Sequence, residues 1–171
     1  RHAEAAPARR VAVLGLEGLS YGESAARRLS ERLRRIANDH ERLGVSDPGS
    51  LSVEEARLSF GCIDSTPSCW AQVGQTLSAD LVLLGSASRV PTGIAITLEA
   101  FDVKLKRRAA RLARTLPIKS LDAEFDALVR RFLNTLSGTR PARLKLVVAQ
   151  RGAELRLDGR SIGRSPVPDR R

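Results

Sequence analysis

The sequence predicts an α/β (α+β) fold: a mixed sheet of about four strands packed against three to four helices, in the order β-α-α-α-β-β-β-α, followed by a partial all-β segment. Three observations carry that expectation. A short apolar run at residues 10–16 is followed by a long amphipathic stretch and two further helix-start signatures. At Asp80 the apolar pattern changes to short runs and two-residue alternation, the period of strands. A strongly amphipathic stretch from Ser120 to Gly138 then closes the series.

In chain order, residues 10–16 (Arg-Val-Ala-Val-Leu-Gly-Leu) end near Gly15 and Gly18 and suit a buried strand. Ser20-Tyr21-Gly22-Glu23 has capping-box spacing and predicts that a long helix follows. Ala26, Leu29, Leu33, Ile36 and Leu43 recur at helical spacing, while Arg27, Arg28, Arg32, Arg34 and Arg35 crowd the other faces. Gly44 ends this helix and Pro48 closes it off. Ser52-Val53-Glu54-Glu55 is a second capping box, opening a short helix to about Phe60. Thr66 before Pro67 marks a third start, with Trp70, Val73 and Leu77 on one face.

Residues 81–90 form the next strand, Pro91-Thr92-Gly93 supplies turn chemistry, and Ile94, Ile96 and Leu98 alternate with Ala95, Thr97 and Glu99. This predicts a hairpin. Residues 104–116 fit both periods: Leu105, Ala109, Leu112 and Leu116 at helical spacing, Ala110, Leu112, Leu116 and Ile118 at strand spacing. Propensity alone favours helix there. The last helix begins at Ser120, carries Asp122, Glu124 and Asp126 early and Arg130 and Arg131 late, and buries Leu121, Phe125, Leu128, Phe132 and Leu136. Residues 138–142 are a linker. Beyond them Leu144, Leu146 and Val148 alternate with other residues, and residues 155–159 form a strand entering a tight turn at Asp158-Gly159. About 30 residues with some three strands cannot bury a core of their own, so residues 143–171 are expected to be the start of a second domain.

This order resembles the envelope domain found at the amino end of TolB and in the curli-export and penicillin-binding-protein-activator lipoproteins. The resemblance covers about residues 9–137. It rests on residues 10–15, on Gly74, Leu77, Ala79-Asp80-Leu81-Val82 and Gly85, on the hairpin at residues 90–94, and on Phe101-Asp102-Val103. In such domains another strand rebuilds the sheet after the hairpin, and the resemblance therefore implies strand at residues 108–118. Residues 153–166, centred on Asp158-Gly159 with Gly163 and Pro166, are similar to the start of a PEGA domain, a small β-fold of bacterial envelope proteins. None of these motifs implies a catalytic residue.

Charge divides the chain. Residues 1–85 carry 10 Lys/Arg against 11 Asp/Glu, whereas residues 86–171 carry 19 against 8, a net charge of +11. Such asymmetry points to nucleic acid, anionic lipid or an acidic protein partner. However, 25 of the 29 basic residues are Arg, as a GC-rich genome would produce, and aromatics make up only 4 %, leaving few platforms for stacking bases. A solvated basic surface is the plainer reading; nucleic acid is the less favoured partner. The arginines singled out as an interaction surface are Arg107, Arg108, Arg111, Arg114, Arg130 and Arg131.

Cys62 and Cys69 have neither CxxC nor zinc spacing, and His2 and His40 supply no completing pair. A local disulfide in an oxidising compartment is expected, against the alternatives of two buried thiols or a reactive Cys69 near a helix start. The chain has no Met, and residues 1–8, Ala-rich with Pro7, look like the flexible stem left when a targeting segment is removed. Export to the periplasm or cell surface is the resulting expectation; a fragment cut at arbitrary points is the alternative.

No nucleophile elbow forms at Glu17-Gly18-Leu19-Ser20, and no glycine-rich phosphate loop with its lysine occurs. His40 reads as a helix-packing residue on the face of Leu33 and Ile36, and Glu54, Glu55, Asp122 and Asp126 complement helix dipoles. No catalytic residue, cofactor or metal is expected. The sequence thus suggests a non-catalytic envelope interaction or assembly module with an acidic protein or cell-wall polymer as partner. A basic nucleic-acid-binding domain is the alternative, and an enzyme the remotest.

Overall fold

The computed structural model describes residues 9–46, 51–62, 64–138, 152–157 and 160–164. The chain divides into two compact units, Arg1–Arg140 and Pro141–Arg171.

In the first unit, β1 (Arg9–Gly18) leads into α1 (Glu23–Asn38), then β2 (Leu43–Val45), α2 (Val53–Phe60) and α3 (Pro67–Thr76). Strands β3 (Leu81–Val90), β4 (Gly93–Asp102) and β5 (Arg107–Leu116) follow, and a 3-10 turn at Ile118–Ser120 leads to α4 (Leu121–Leu136). The mixed α+β expectation holds, with one strand more than foreseen. The sheet order is β2-β1-β3-β4-β5, with β1 parallel to β2 and β3, and β3, β4 and β5 antiparallel.

Two cores sandwich the sheet. Leu29, Leu33 and Ile36 of α1 and Phe125, Val129 and Phe132 of α4 pack on Val11, Val13, Leu81, Leu83, Ile94, Ile96 and Leu98. Val53 and Ala56 of α2 and Trp70 and Val73 of α3 pack on Leu14, Val82, Leu84 and Phe101 on the opposite face. The chain leaves β1 in one direction to reach β2 and crosses back to β3. Crossovers of one hand therefore drop α1 and the α2–α3 pair on opposite faces.

The motif Ala79-Asp80-Leu81-Val82 has a structural reason. Arg10 N donates to Asp80 Oδ2 at 2.8 Å while Asp80 N donates to Arg10 O at 2.8 Å, which locks β3 beside β1. Gly74 lets α3 lie against Val82 and Val103; a Cβ there would collide with both valine side chains. Asp102 accepts from Leu105 N at 2.9 Å and from Arg9 Nη2 at 2.9 Å, which fixes the β4–β5 turn.

Several local expectations are corrected. Ser20 does not cap α1, whose N-cap is Gly22 with no side-chain bond. The Ser20 hydroxyl instead accepts from Arg89 N at 3.0 Å, tying the loop after β1 to β3. Helix α1 ends at Asn38, so Leu43 and Gly44 belong to β2 and His40 lies off the helix. Ser120 stands at the N-cap of α4 without a side-chain bond, because the preceding 3-10 turn places its backbone outside the cap conformation. The Ser52 capping box and the Thr66 cap form as the sequence indicates. Residues 107–116 are strand despite their helical propensity: pairing along β4 and burial of Leu116 outweigh an intrinsic preference of a few tenths of a kcal/mol per residue.

In the second unit, β6 (Glu154–Leu157) pairs antiparallel with β7 (Arg160–Arg164). The predicted strand at residues 144–148, the turn residues Asp158 and Gly159, and Pro166 lie outside the described residues.

Candidate interaction surface

In an open α/β sheet a ligand is expected beyond the carboxyl ends of the strands, where the strand order reverses. Here that place is a cleft of about 750 Å³ between the end of β1 and the first turns of α1 and α2, lined in part by Glu17, Arg34, Ser30 and Glu55. Several of its polar groups are occupied by the protein itself. Arg34 donates to Val13 O at 3.2 Å, Leu14 O at 3.1 Å and Leu51 O at 3.3 Å. Ser30, only 5 % exposed, accepts from Leu16 N and donates to Ala26 O, each at 2.8 Å. Arg57 pairs with Glu17 and donates to Ser65 Oγ at 3.1 Å. A register shift between Val13 and Gly15 makes this arrangement possible. Gly15 has φ +94°, and a Cβ on it would lie 2.7 Å from Ser30 Oγ. The sequence reading missed Arg34 and Ser30; the available signal was a serine inside the apolar stripe of α1, beside a glycine pair at residues 15 and 18.

The carboxylates read as helix-end residues behave as such. The Glu55 carboxyl is held below the usual carboxylate range, first by the Ser52 backbone N–H at 2.7 Å and then by the Ser52 side chain. Arg32 joins α1 to α4 by chelating Asp126 and approaching Asp122 at 3.4 Å; the Asp126 hydrogen bond raises its pKa. His40 bonds Asn134 Oδ1 at 3.1 Å and accepts from Arg42 N at 3.3 Å, fastening the α1–β2 connection to α4. Among the described residues no three His, Cys, Asp or Glu side chains are grouped to hold a metal ion.

Cys62 and Cys69 are bonded, with Cα atoms 5.6 Å apart. The bond joins the segment after α2 to the first turn of α3, beside the buried Trp70.

The six arginines singled out in the sequence do not form one patch. Arg107, Arg108, Arg111 and Arg114 lie on β5, while Arg130 and Arg131 are exposed on α4. A register shift between Ala100 and Phe101 places Arg108 opposite Phe101 and Arg111 opposite Glu99, on one face of the sheet; Arg107 and Arg114 stand on the other. Glu99 takes Arg108 at 2.9 Å and Arg111 at 3.6 Å, and the Arg108 guanidinium lies 5.8 Å from the centre of the Phe101 ring. Arg107, Arg114, Arg130 and Arg131 have no ion pair among the described residues.

The first unit therefore has the architecture of a three-layer α/β domain stapled by a disulfide. Solved structures with this fold include TolB from Acinetobacter baumannii, at 14 % identity and TM-score 0.51, covering 78 % of this chain and 29 % of that one. LpoB from E. coli matches at 17 % identity and TM-score 0.51, covering 65 % of this chain and 57 % of that one. The PelC dodecamer from Paraburkholderia phytofirmans matches at 16 % identity and TM-score 0.51, covering 76 % and 88 %. No family model matches the sequence, and no curated protein matches it. The likeness to TolB-type and penicillin-binding-protein-activator-type domains is thus one of fold. Among the described residues no helix is long and apolar enough to cross a membrane.

Proposed function

We propose that this chain is a non-catalytic module of the bacterial cell envelope, exported to the periplasm or cell surface, that binds an acidic envelope protein or cell-wall polymer. The observation that carries this reading is the cleft at the end of β1: where an α/β sheet would hold a substrate, Arg34 and Ser30 are already bonded to the backbone and Glu17 to Arg57. What remains for recognition is the outer surface, where β5 carries four arginines and α4 two. The fold shared with TolB, LpoB and PelC supports an envelope role, as does the Cys62–Cys69 bond, which persists in oxidising compartments. The β6–β7 hairpin supports a second, PEGA-like β domain beginning near residue 143.

The test is capture from an envelope extract with the full chain as bait, at low salt and again at about 0.5 M, where surface charge attraction is screened. A partner retained at low salt and released at high salt is expected. Recovery of none at low salt removes the proposal, and thiol-trapping of the chain in intact cells as two free cysteines removes the exported location.

A further inference from the structure

We infer that β5 is a docking edge for an acidic, extended segment of a partner protein, which adds to the sheet as a sixth strand. This rests on the proposed function and specifies its surface. Strand β5 ends the sheet and is ten residues long. About half of its residues turn their N–H and C=O away from β4. Among the described residues, no backbone group outside the β4 pairing bonds to it. A row of alternating backbone donors and acceptors is matched by another extended polypeptide, whereas a polysaccharide or nucleic acid has no matching backbone register.

Charge selects the occupant. Residues 103–119 contain Lys104, Lys106, Arg107, Arg108, Arg111, Arg114 and Lys119 and no Asp or Glu, and they hold three of the four lysines of the chain. Two β5 strands from separate copies would set arginine against arginine, and like charges directly opposite repel. The same charges attract a strand bearing carboxylates. Geometry narrows the sequence of that strand. Arg111 and Arg114 stand on opposite faces of the sheet, three residues apart, so a partner with carboxylates three residues apart meets both.

The probe is a labelled peptide of the length of β5, built from Val and Thr with Glu at every third position, titrated against the full chain. Its twin is N-methylated on alternate backbone nitrogens, which keeps charge and side chains but removes the donors. The first peptide is expected to bind about tenfold or more tightly than the twin and to slow amide exchange along β5. An Arg111→Glu/Arg114→Glu variant is expected to lose about tenfold in affinity; because its carboxylate at position 111 faces Glu99, affinity is read on protein whose amide exchange away from β5 matches the parent's. Equal binding of the twin, or of a single-stranded oligonucleotide of the same charge, shows simple polyanion attraction and overturns the inference. So does protection of β5 that grows with protein concentration alone, which would make a second copy the occupant. If the envelope extract still yields a salt-sensitive partner with the charge-reversed variant, the docking edge fails while the proposed function stands.

Discussion

The two ends of the sheet are finished in opposite ways. At one end β2 is three residues long and covers only Arg9–Val11 of β1, with Ser46 N extending the cover to Val11 O. Where β2 stops, α1 takes over: Arg34 bonds the carbonyls of Val13 and Leu14, and Ser30 bonds the amide of Leu16. At the other end β5 has no such cover. Its protection against other strands includes charge, four arginines in ten residues. The difference teaches that a sheet edge can be closed without a strand, provided a helix supplies polar groups at the right height. It also shows that only one end of this sheet has been closed in that way.

The largest expected effect comes from damaging the closed end. Gly15→Val forces a β-branched residue to φ +94° and drives its Cβ into Ser30. Strain and overpacking each cost about 1–3 kcal/mol, so a loss of about 3 kcal/mol is expected in denaturant unfolding. Retained stability would mean the bulge relaxes and Ser30 does not pin it. Replacing Cys62 and Cys69 together by Ala should cost about 2–3 kcal/mol through the released loop. Because that bond lies at neither edge, association behaviour should not change, which makes the variant a control. Arg34→Met keeps the aliphatic stem but leaves carbonyls of Val13, Leu14 and Leu51 without their donor, at about 1–3 kcal/mol. If α1 closes this end, sedimentation should then show more concentration-dependent association than the parent does.

Much of this was legible in the sequence. The helices α2, α3 and α4, the hairpin and the first strand follow from caps, turn residues and period, all local signals. Assigning residues 108–118 to strand needed the family-like order, since Arg and Ala favour helix and only pairing with β4 decides otherwise; the strand itself runs Arg107–Leu116, and Ile118 opens the 3-10 turn. The misses share a cause: each depends on a partner far along the chain. Leu43 continues the helical spacing of Ile36, yet three residues become β2 because β1 offers them a ladder. Ser20 has the right spacing for a cap but bonds Arg89, 69 residues on. The β5 arginines read as one surface, but strand alternation divides them between two faces, and the register shift beside Phe101 decides that Arg108 shares a face with Arg111. Arg34 looked like one of five solvated arginines, and only its backbone partners on β1 distinguish it.

At the open end the expected change in stability is small. Arg107→Ser with Arg114→Ser removes two exposed cations that have no ion pair among the described residues, so unfolding should shift by no more than about 0.5 kcal/mol. Association at high protein concentration should nevertheless increase, because β5 would lose charges that keep copies apart. An unchanged association state in light scattering would show that something other than charge protects this edge.

The smallest effect joins the closed end to pH. Leu51, whose carbonyl holds Arg34, directly precedes the capping box formed by Ser52 and Glu55. Ser52 holds the Glu55 carboxyl below its ordinary value, and Arg34 adds to the depression. A depressed carboxylate contributes its stabilisation in full above its unfolded value and loses it as pH falls through the lower folded value. Acidification should therefore loosen the first turn of α2 only in that acidic window, seen as faster exchange at the Ser52 amide. Glu55→Gln keeps an acceptor for that amide but cannot titrate, so its exchange should follow intrinsic rates across the same window. If the glutamine variant shows the parent's acid response, the sensitivity belongs to another carboxylate, and Arg34 is held in place without help from the capping box.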